Sequence, residues 1–268
     1  MKTDPAKNYE AINRQNWNAR VETHAQSAFY DVPAFLKGRN SLNDIELNLL
    51  GDIKGKNILH LQCHFGQDSI SLQRLGAQVT GVDLSDKAIA YARELAQQTK
   101  TDTTFICCNV YDLPDQLTEQ FDMVFTSYGT IGWLPDITNW ATLISRYLKP
   151  GGKFVFADFH PVVWMFDSKF EKVAYNYFKD EAIVESESGT YADKDKPLEL
   201  LSVGWNHGMA EVLGVLLKQG LQIDSLEEFD YSPYNCFNDC VETEPGKFRI
   251  KQHGNKLPLV YAFSATKK

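Results

Sequence analysis

An α/β fold with a seven-stranded, mostly parallel sheet and helices on both faces is predicted by three observations. Between Asn57 and Asp158, five apolar strand-like runs alternate with helical segments, the pattern of parallel strands joined by crossover helices. The stretch Asn57–Ser85 reads as strand, tight loop, helix and a second strand that ends on an acid, Asp83. After Asp158, the runs Leu221–Phe229 and Leu259–Ala265 are strand-like and suited to pairing at a sheet edge.

Each element follows from a local pattern. Residues 8–36 are expected to be helical and amphipathic, with Trp17, Val21 and Phe29 as apolar points and Pro33 as a breaker. Leu42, Ile45, Leu49 and Leu50 share one face of a second helix, Leu42–Leu50. Strand one is Asn57–Leu61. The loop Gln62–Gly66 leads into a helix, Gln67–Leu75, whose Ile70, Leu72 and Leu75 suit packing on a sheet. Strand two is Gln78–Asp83, and Ser85 caps the helix Asp86–Gln98. Strands three and four are Thr104–Cys108 and Phe121–Ser127. The helix Ile137–Leu148 ends at the turn Lys149-Pro150-Gly151-Gly152, which leads into strand five, Lys153–Asp158. From His160 to Leu201 the chain is rich in aromatics and charges and alternates over Val173–Phe178, as in an inserted hairpin or cap. The helix Met209–Gln219 stops at Gly220.

Composition narrows the function. A chain of 268 residues can bury one substantial core. The formal net charge of −8 opposes a nucleic-acid partner, which needs a basic surface. No apolar run is long enough to span a bilayer, and the start MKTDPAKNYE lacks the apolar centre of a signal peptide. The cysteine count of five is odd, and Cys107 and Cys108 are adjacent in an apolar run, so reduced thiols and a cytoplasmic location are expected. Cys236, Cys240 and His253 do not have zinc spacing, and no metal is expected.

Asn57–Ser85 has the parts of a half-Rossmann nucleotide site, in which amides at a helix start face the ligand and the acid holds ribose hydroxyls. Four ordered segments narrow the nucleoside: ILHLQCHFG, VTGVDLS, FDMVFTSYG and YLKPGGKFVFADF. From about Lys56 to Asp158 these resemble the class I S-adenosylmethionine-dependent methyltransferases, whose first loop has the form hhDhGxGxG. That resemblance implies a Rossmann-like fold, S-adenosylmethionine as methyl donor and S-adenosylhomocysteine as product. The wording LQCHFGQD is similar to that of a bacterial subgroup acting on small molecules. The first loop departs from the common pattern: His60 stands at the acid position, Gln62 and His64 stand at glycine positions, and Gly66 remains. S-adenosylmethionine has no pyrophosphate to cradle, so Gln62 and the turn to Gly66 are expected to suffice for its methionine end. The same loss of glycines weakens a nicotinamide-dependent oxidoreductase, and a non-catalytic S-adenosylmethionine-binding protein is the other alternative.

The resemblance implies further roles. Asp83 accepts from both ribose hydroxyls, Leu84 packs on the adenine, and Asn109 and Val110 read the adenine edge. Ser127, Tyr128 and Gly129 line the methionine and sulfonium end. Gln67 and Asp68 either contact the ligand or only begin the helix. Methyl transfer is an in-line displacement from an activated donor, so alignment matters most and a base is needed only for an acceptor that must lose a proton. TSYG after strand four matches neither DNA-methyltransferase motif, that is, Asn/Asp-Pro-Pro-aromatic or Pro-Cys, which favours a small-molecule acceptor. His160, at the carboxyl edge of the sheet, is either a base or a turn-shaping residue before Pro161; His207 is a lesser candidate. Trp133, Trp164, Phe166, Tyr231 and Tyr234 are candidate walls of an acceptor pocket. The expected organisation is one domain over 1–268. It divides into a helical lid at 1–50 bearing Trp17, Asn18, Arg20, His24 and Tyr30, a cofactor core at 56–158, a cap at 159–205, and a C-terminal helix with edge strands at 206–268.

Overall fold

A computed structural model describes residues 4–268, with the backbone alone at Glu187; Met1–Thr3, the start of the expected lid, lie outside the described residues. The strands in chain order are β1 (Asn57–Leu61), β2 (Gln78–Asp83), β3 (Thr104–Cys107), β4 (Phe121–Ser127), β5 (Leu148–Phe159), β6 (Ile183–Ser188), β7 (Glu199–Gly204), β8 (Leu221–Phe229), β9 (Cys240–Glu244), β10 (Lys247–Ile250) and β11 (Val260–Lys267). The helices are α1 (Tyr9–Gln26), α2 (Val32–Leu36), α3 (Asp44–Leu50), α4 (Gln67–Arg74), α5 (Asp86–Thr99), α6 (Ile137–Tyr147) and α7 (Met209–Lys218).

Seven strands form one sheet in the order β3-β2-β1-β4-β5-β11-β8. β1 to β5 pair in parallel, and β11 runs antiparallel between β5 and β8. The strand order reverses between β1 and β4, so their carboxyl ends flank the crevice where open α/β sheets bind ligands. Alternation along each strand divides the core. Phe154 and Phe156 of β5 face Trp140 of α6, while Val155 and Ala157 face Leu42, Ile45 and Leu49 at and within α3.

Three expectations need correction, and one element was not foreseen. Pro33 does not break a helix at 8–36; it sits in the first turn of α2, where no amide is required, after Asp31 turns the chain at φ 39° and caps Ala34 N. The Lys149–Gly152 turn is absorbed into β5, with an irregular register between Phe121 and Met123 and Gly151 at φ 74°. Val173–Phe178 is no strand: it keeps one bridge, Phe166 to Val173, and the cap hairpin is β6–β7 instead. The hairpin β9–β10 was not expected, because its sequence CVETEPGKFRI is mostly polar.

Helix α1 has little apolar face of its own and docks through amide side chains. Asn13 donates to Val203 O at 2.8 Å and accepts from Val203 N at 2.9 Å, imitating a strand neighbour to β7, and Asn16 donates to Leu201 O at 2.9 Å. Asn18 accepts from Ser85 Oγ at 2.6 Å and donates to Asp86 at 2.8 Å, and Glu10 accepts from Asn109 Nδ2 at 3.0 Å. These bonds lay α1 across the carboxyl ends of β2 and β3.

Candidate active site

The first loop keeps a glycine-type backbone without the glycines. Gln62 lies at φ 56°, His64 at φ 49° and Gly66 at φ 82°. Left-handed backbone is uncommon for side chains with a Cβ, and such residues cluster where function requires a particular loop. The loop is fastened across the crevice: Gln62 Nε2 donates to Thr130 O at 2.7 Å, and His64 N donates to Asp83 Oδ2 at 2.8 Å. Asp83 also accepts from Ser85 N at 2.9 Å, and burial raises its carboxyl to about 6. His60, in the family's acid position, is a buried neutral imidazole bonded to Ser69 Oγ at 2.8 Å, with burial lowering it to about 3.

On the β4 side, Tyr128 at φ 27° and Gly129 at φ 72° form a tight corner. Buried Asp158 pins it, accepting from Gly129 N, from Thr130 N and Oγ1 at 3.1 Å each, from Ile131 N at 3.4 Å and from Phe159 N at 2.7 Å. Trp133 Nε1 donates to Gly129 O at 2.8 Å. Tyr128 OH donates to Glu46 Oε2 at 2.9 Å, and Ser127 Oγ lies 3.5 Å from Asp68 Oδ2. Burial also raises the Asp68 carboxyl.

Above the crevice, Trp17 packs 5.1 Å from the His64 ring and 5.2 Å from Trp133. His24 contacts Tyr30 and Tyr191, and Gln67 Nε2 donates to Tyr30 O at 3.0 Å. The structure therefore gathers Gln62, His64, Gly66, Gln67, Asp68, Ser127, Tyr128, Gly129, Trp17, Tyr30 and Trp133 around one crevice. Leu84, Asn109 and Val110 border it beside Asp83 at the ends of β2 and β3, where Cys108 N donates to Asp83 O at 3.0 Å. Asn109 Oδ1 accepts from Tyr111 N at 3.1 Å.

Other expected residues lie apart from this group. His160 Nδ1 accepts from Val162 N at 3.1 Å and its Nε2 is 2.8 Å from Glu228, so its ring shapes the turn after β5. Burial, against the pull of Glu228, lowers its proton affinity. His207 is held by Leu134 O at 2.8 Å and Glu211 at 3.2 Å. Trp164 is 40% exposed and packs on Phe159 and Phe237, and Tyr231 packs on Phe229 beside Lys247 and Arg249. Sequence reading missed Glu46, Asp158 as a loop anchor, and Tyr191. The spacing Asn43-x-x-Glu46 was the available signal for Glu46, whose Oε1 accepts from Asn43 N at 2.8 Å and Nδ2 at 3.0 Å.

Glu46 gives a pH prediction. It is 0% exposed, and burial, with Asp68 adding in the same direction, raises its carboxyl to about 7. A raised carboxyl binds its proton more tightly in the folded state, so its contribution is present below the unfolded value and is lost as pH rises toward 7. Relative to Glu46→Gln, the native protein is expected to lose about 2 kcal/mol between about pH 5 and about pH 8. Urea midpoints of both proteins across that range test this, and parallel pH curves would refute it.

Residues 58–152 match the family described as methyltransferase domain. Over these residues the chain carries a methyltransferase domain. Among similar proteins, the ubiquinone biosynthesis O-methyltransferase of Alkalilimnicola ehrlichii is 28% identical over 159 residues, 58% of this chain and 64% of that protein. The same-named enzyme of Xanthomonas oryzae is 32% identical over 128 residues, 47% of this chain and 53% of that protein. The matched region thus spans between about half and two thirds of these relatives' length. An S-adenosylmethionine-dependent methyltransferase of Mesorhizobium loti superimposes with TM-score 0.57 at 22% identity, covering 87% of this chain and all of that one (100%). The geranyl diphosphate C-methyltransferase of Streptomyces coelicolor gives TM-score 0.62 at 14% identity, covering 98% and 99%. These likenesses show the fold. No helix among the described residues is long and apolar enough to cross a membrane.

Proposed function

We propose that the methyltransferase domain binds S-adenosylmethionine between the first loop and helix α1 and transfers its methyl group to a small-molecule acceptor, releasing S-adenosylhomocysteine. The observation that carries this reading is the first loop, left-handed at Gln62, His64 and Gly66 and tied to Asp83. The residues present fit the donor. Gln62 Oε1 and His64 Nδ1 are buried without partners among the described residues, and such groups call for a ligand. Asp83 Oδ2 accepts from His64 N and Oδ1 from Ser85 N, the Leu84 amide also bonds the carboxylate, and the remaining acceptor capacity would serve the ribose hydroxyls. Leu84 and Val110 would sandwich the base, Asn109 would read its edge, and Ser127, Tyr128 and Gly129 would face the methionine end. Gln67 and Asp68 open α4 toward the same ligand.

In this reading residues 1–50 are a lid, 56–158 the donor core, 159–205 the cap and 206–268 the closing helix and strands. The loop wording LQCHFGQD supports the small-molecule subgroup. The O-methyltransferase names of the relatives favour oxygen as the attacked atom, while the solved neighbours include a C-methyltransferase, so fold alone does not choose.

Addition of S-adenosylhomocysteine at about 100 times its Kd is expected to stabilise the protein by about 2.7 kcal/mol. For a domain of this size that corresponds to a rise in Tm of about 6 °C. Asp83→Ala is expected to remove most of the rise. Scanning fluorimetry measures both, and a native protein unmoved by millimolar ligand ends this reading.

A further inference from the structure

Two imidazoles meet inside the lid. His24 Nδ1, in the last turn of α1, lies 3.0 Å from His64 Nε2 in the first loop. The opposite nitrogens, His24 Nε2 and His64 Nδ1, are buried and unpartnered among the described residues. Tautomer arithmetic makes this informative. Each neutral ring has one N–H, so whichever ring donates to the other, one outer nitrogen is a bare acceptor and the other an unused donor. A buried pair with an open acceptor at one end and an open donor at the other has the parts of a proton relay.

The surroundings choose the substrate. Tyr30 stacks on His24 at 5.3 Å, Tyr191 lies at 4.7 Å, and Trp17 flanks both imidazoles. An aromatic guest would join this ring cluster, which buries His24 completely. The charged and titratable groups around the pair are Arg20 on α1, Tyr30 after it, Tyr191 from the cap, and Asp83 at the end of β2. Burial first, and the Arg20 guanidinium with it, keep both imidazoles neutral.

We propose that His24 and His64 form the proton-accepting pair of the methyl transfer, and that the acceptor is a neutral aromatic hydroxyl compound. This rests on the donor reading above. In the working tautomer His24 Nδ1–H donates to His64 Nε2, leaving His24 Nε2 bare. His24 Nε2 takes the hydroxyl proton as the oxygen forms its bond to the methyl carbon, and the electron pair of the broken S–C bond stays on sulfur. One positive charge disappears at sulfur as one appears on the imidazole pair, so the buried site keeps its net charge. His24 is the catalytic base in this scheme, and His64 positions it and shares the proton.

The test uses the full chain, with S-adenosylhomocysteine release measured on phenols graded in acidity, from 4-nitrophenol to 4-methoxyphenol. His24→Asn is expected to retain the S-adenosylhomocysteine shift in Tm while lowering kcat about 100-fold, with KM little changed. The loss should be larger for the less acidic phenols and should shrink as pH rises, a dependence that a merely structural role would not produce. Calorimetry supplies a readout independent of turnover: 4-nitrophenol should bind the S-adenosylhomocysteine complex, and His24→Ala should weaken that binding about tenfold. His64→Asn, which tolerates the left-handed backbone, should share the kinetic defect. The proposal is overturned by a kcat loss below about threefold, by an equal loss across the phenols, or by turnover confined to amines or thiols. It is equally overturned if no phenol binds or reacts while the S-adenosylhomocysteine shift is intact. If that shift is absent in the native protein, the donor reading itself falls.

Discussion

Asp158→Ala is expected to lower the unfolding free energy by about 4 kcal/mol and to abolish the stabilisation by S-adenosylhomocysteine. Asp158 is 2% exposed and is the common acceptor for the amides of Gly129, Thr130, Ile131 and Phe159 and for the Thr130 hydroxyl. Removing the carboxylate leaves buried donors facing one another across a cavity. Hydrogen bonds to a charged group contribute about 1.5–3 kcal/mol each, but they are not additive, and entering water recovers part of the loss. The corner at Tyr128 and Gly129 is held in left-handed backbone, so it is expected to relax once its anchor goes. That relaxation would carry Ser127–Gly129 out of the crevice and release Gln62 from Thr130 O. Asp158→Asn keeps the side chain's shape and one acceptor oxygen, and should cost roughly half as much. Urea denaturation measures the stability change, and fluorimetry with ligand measures the coupling. A loss under about 1 kcal/mol with the ligand shift retained would mean that other contacts hold the corner.

What the sequence made legible was local. Strands Asn57–Leu61, Gln78–Asp83 and Phe121–Ser127 have the expected limits, because apolar runs bounded by turn residues are decided within a few residues. The position of Asp83 at the end of β2, beside the first loop, was legible for the same reason. The residues that organise the site owe their placement to distant parts of the chain. Asp158 anchors a corner 28 residues earlier, Tyr128 reaches Glu46 across 82 positions, and His24 reaches His64 across 40. No periodicity encodes such pairings; they come from strand order and from the path of α1. His160 shows the converse: its position at the sheet edge suggested chemistry, yet Glu228, supplied by β8, and the Val162 amide occupy its nitrogens. The hairpin β9–β10 escaped notice because polar strands carry little alternation signal.

The first loop also supplies the other large effect, at the glycine it retains. Gly66→Ala is expected to destabilise the protein by about 4 kcal/mol, from two independent sources. Gly66 lies at φ 82°, where a Cβ costs about 1–2 kcal/mol. That Cβ would also stand 2.5 Å from Phe105 Cζ, 2.7 Å from its Cε1 and 3.0 Å from Ala92 Cβ, inside the packed face beneath α5, and overpacking of this kind costs about 1–3 kcal/mol. Phe105 is 5% exposed and has little room to withdraw. The double variant Gly66→Ala/Phe105→Leu separates the two terms: it should recover the steric part and leave the backbone part. Gln62 and His64 have the same backbone sign but tolerate side chains, since these project into the crevice contacts with Thr130, Trp17 and His24. Gln62→Gly is therefore expected to relieve strain while losing the Thr130 bond, with a net stability change within about 1 kcal/mol. Urea midpoints of the four proteins, native included, decide the matter. A Gly66→Ala loss no larger than that of Gln62→Gly would show that this position needs no glycine. The expected contrast would show instead that one loop position is reserved for packing against β3, while the other two have given up glycine for side chains that reach across the site.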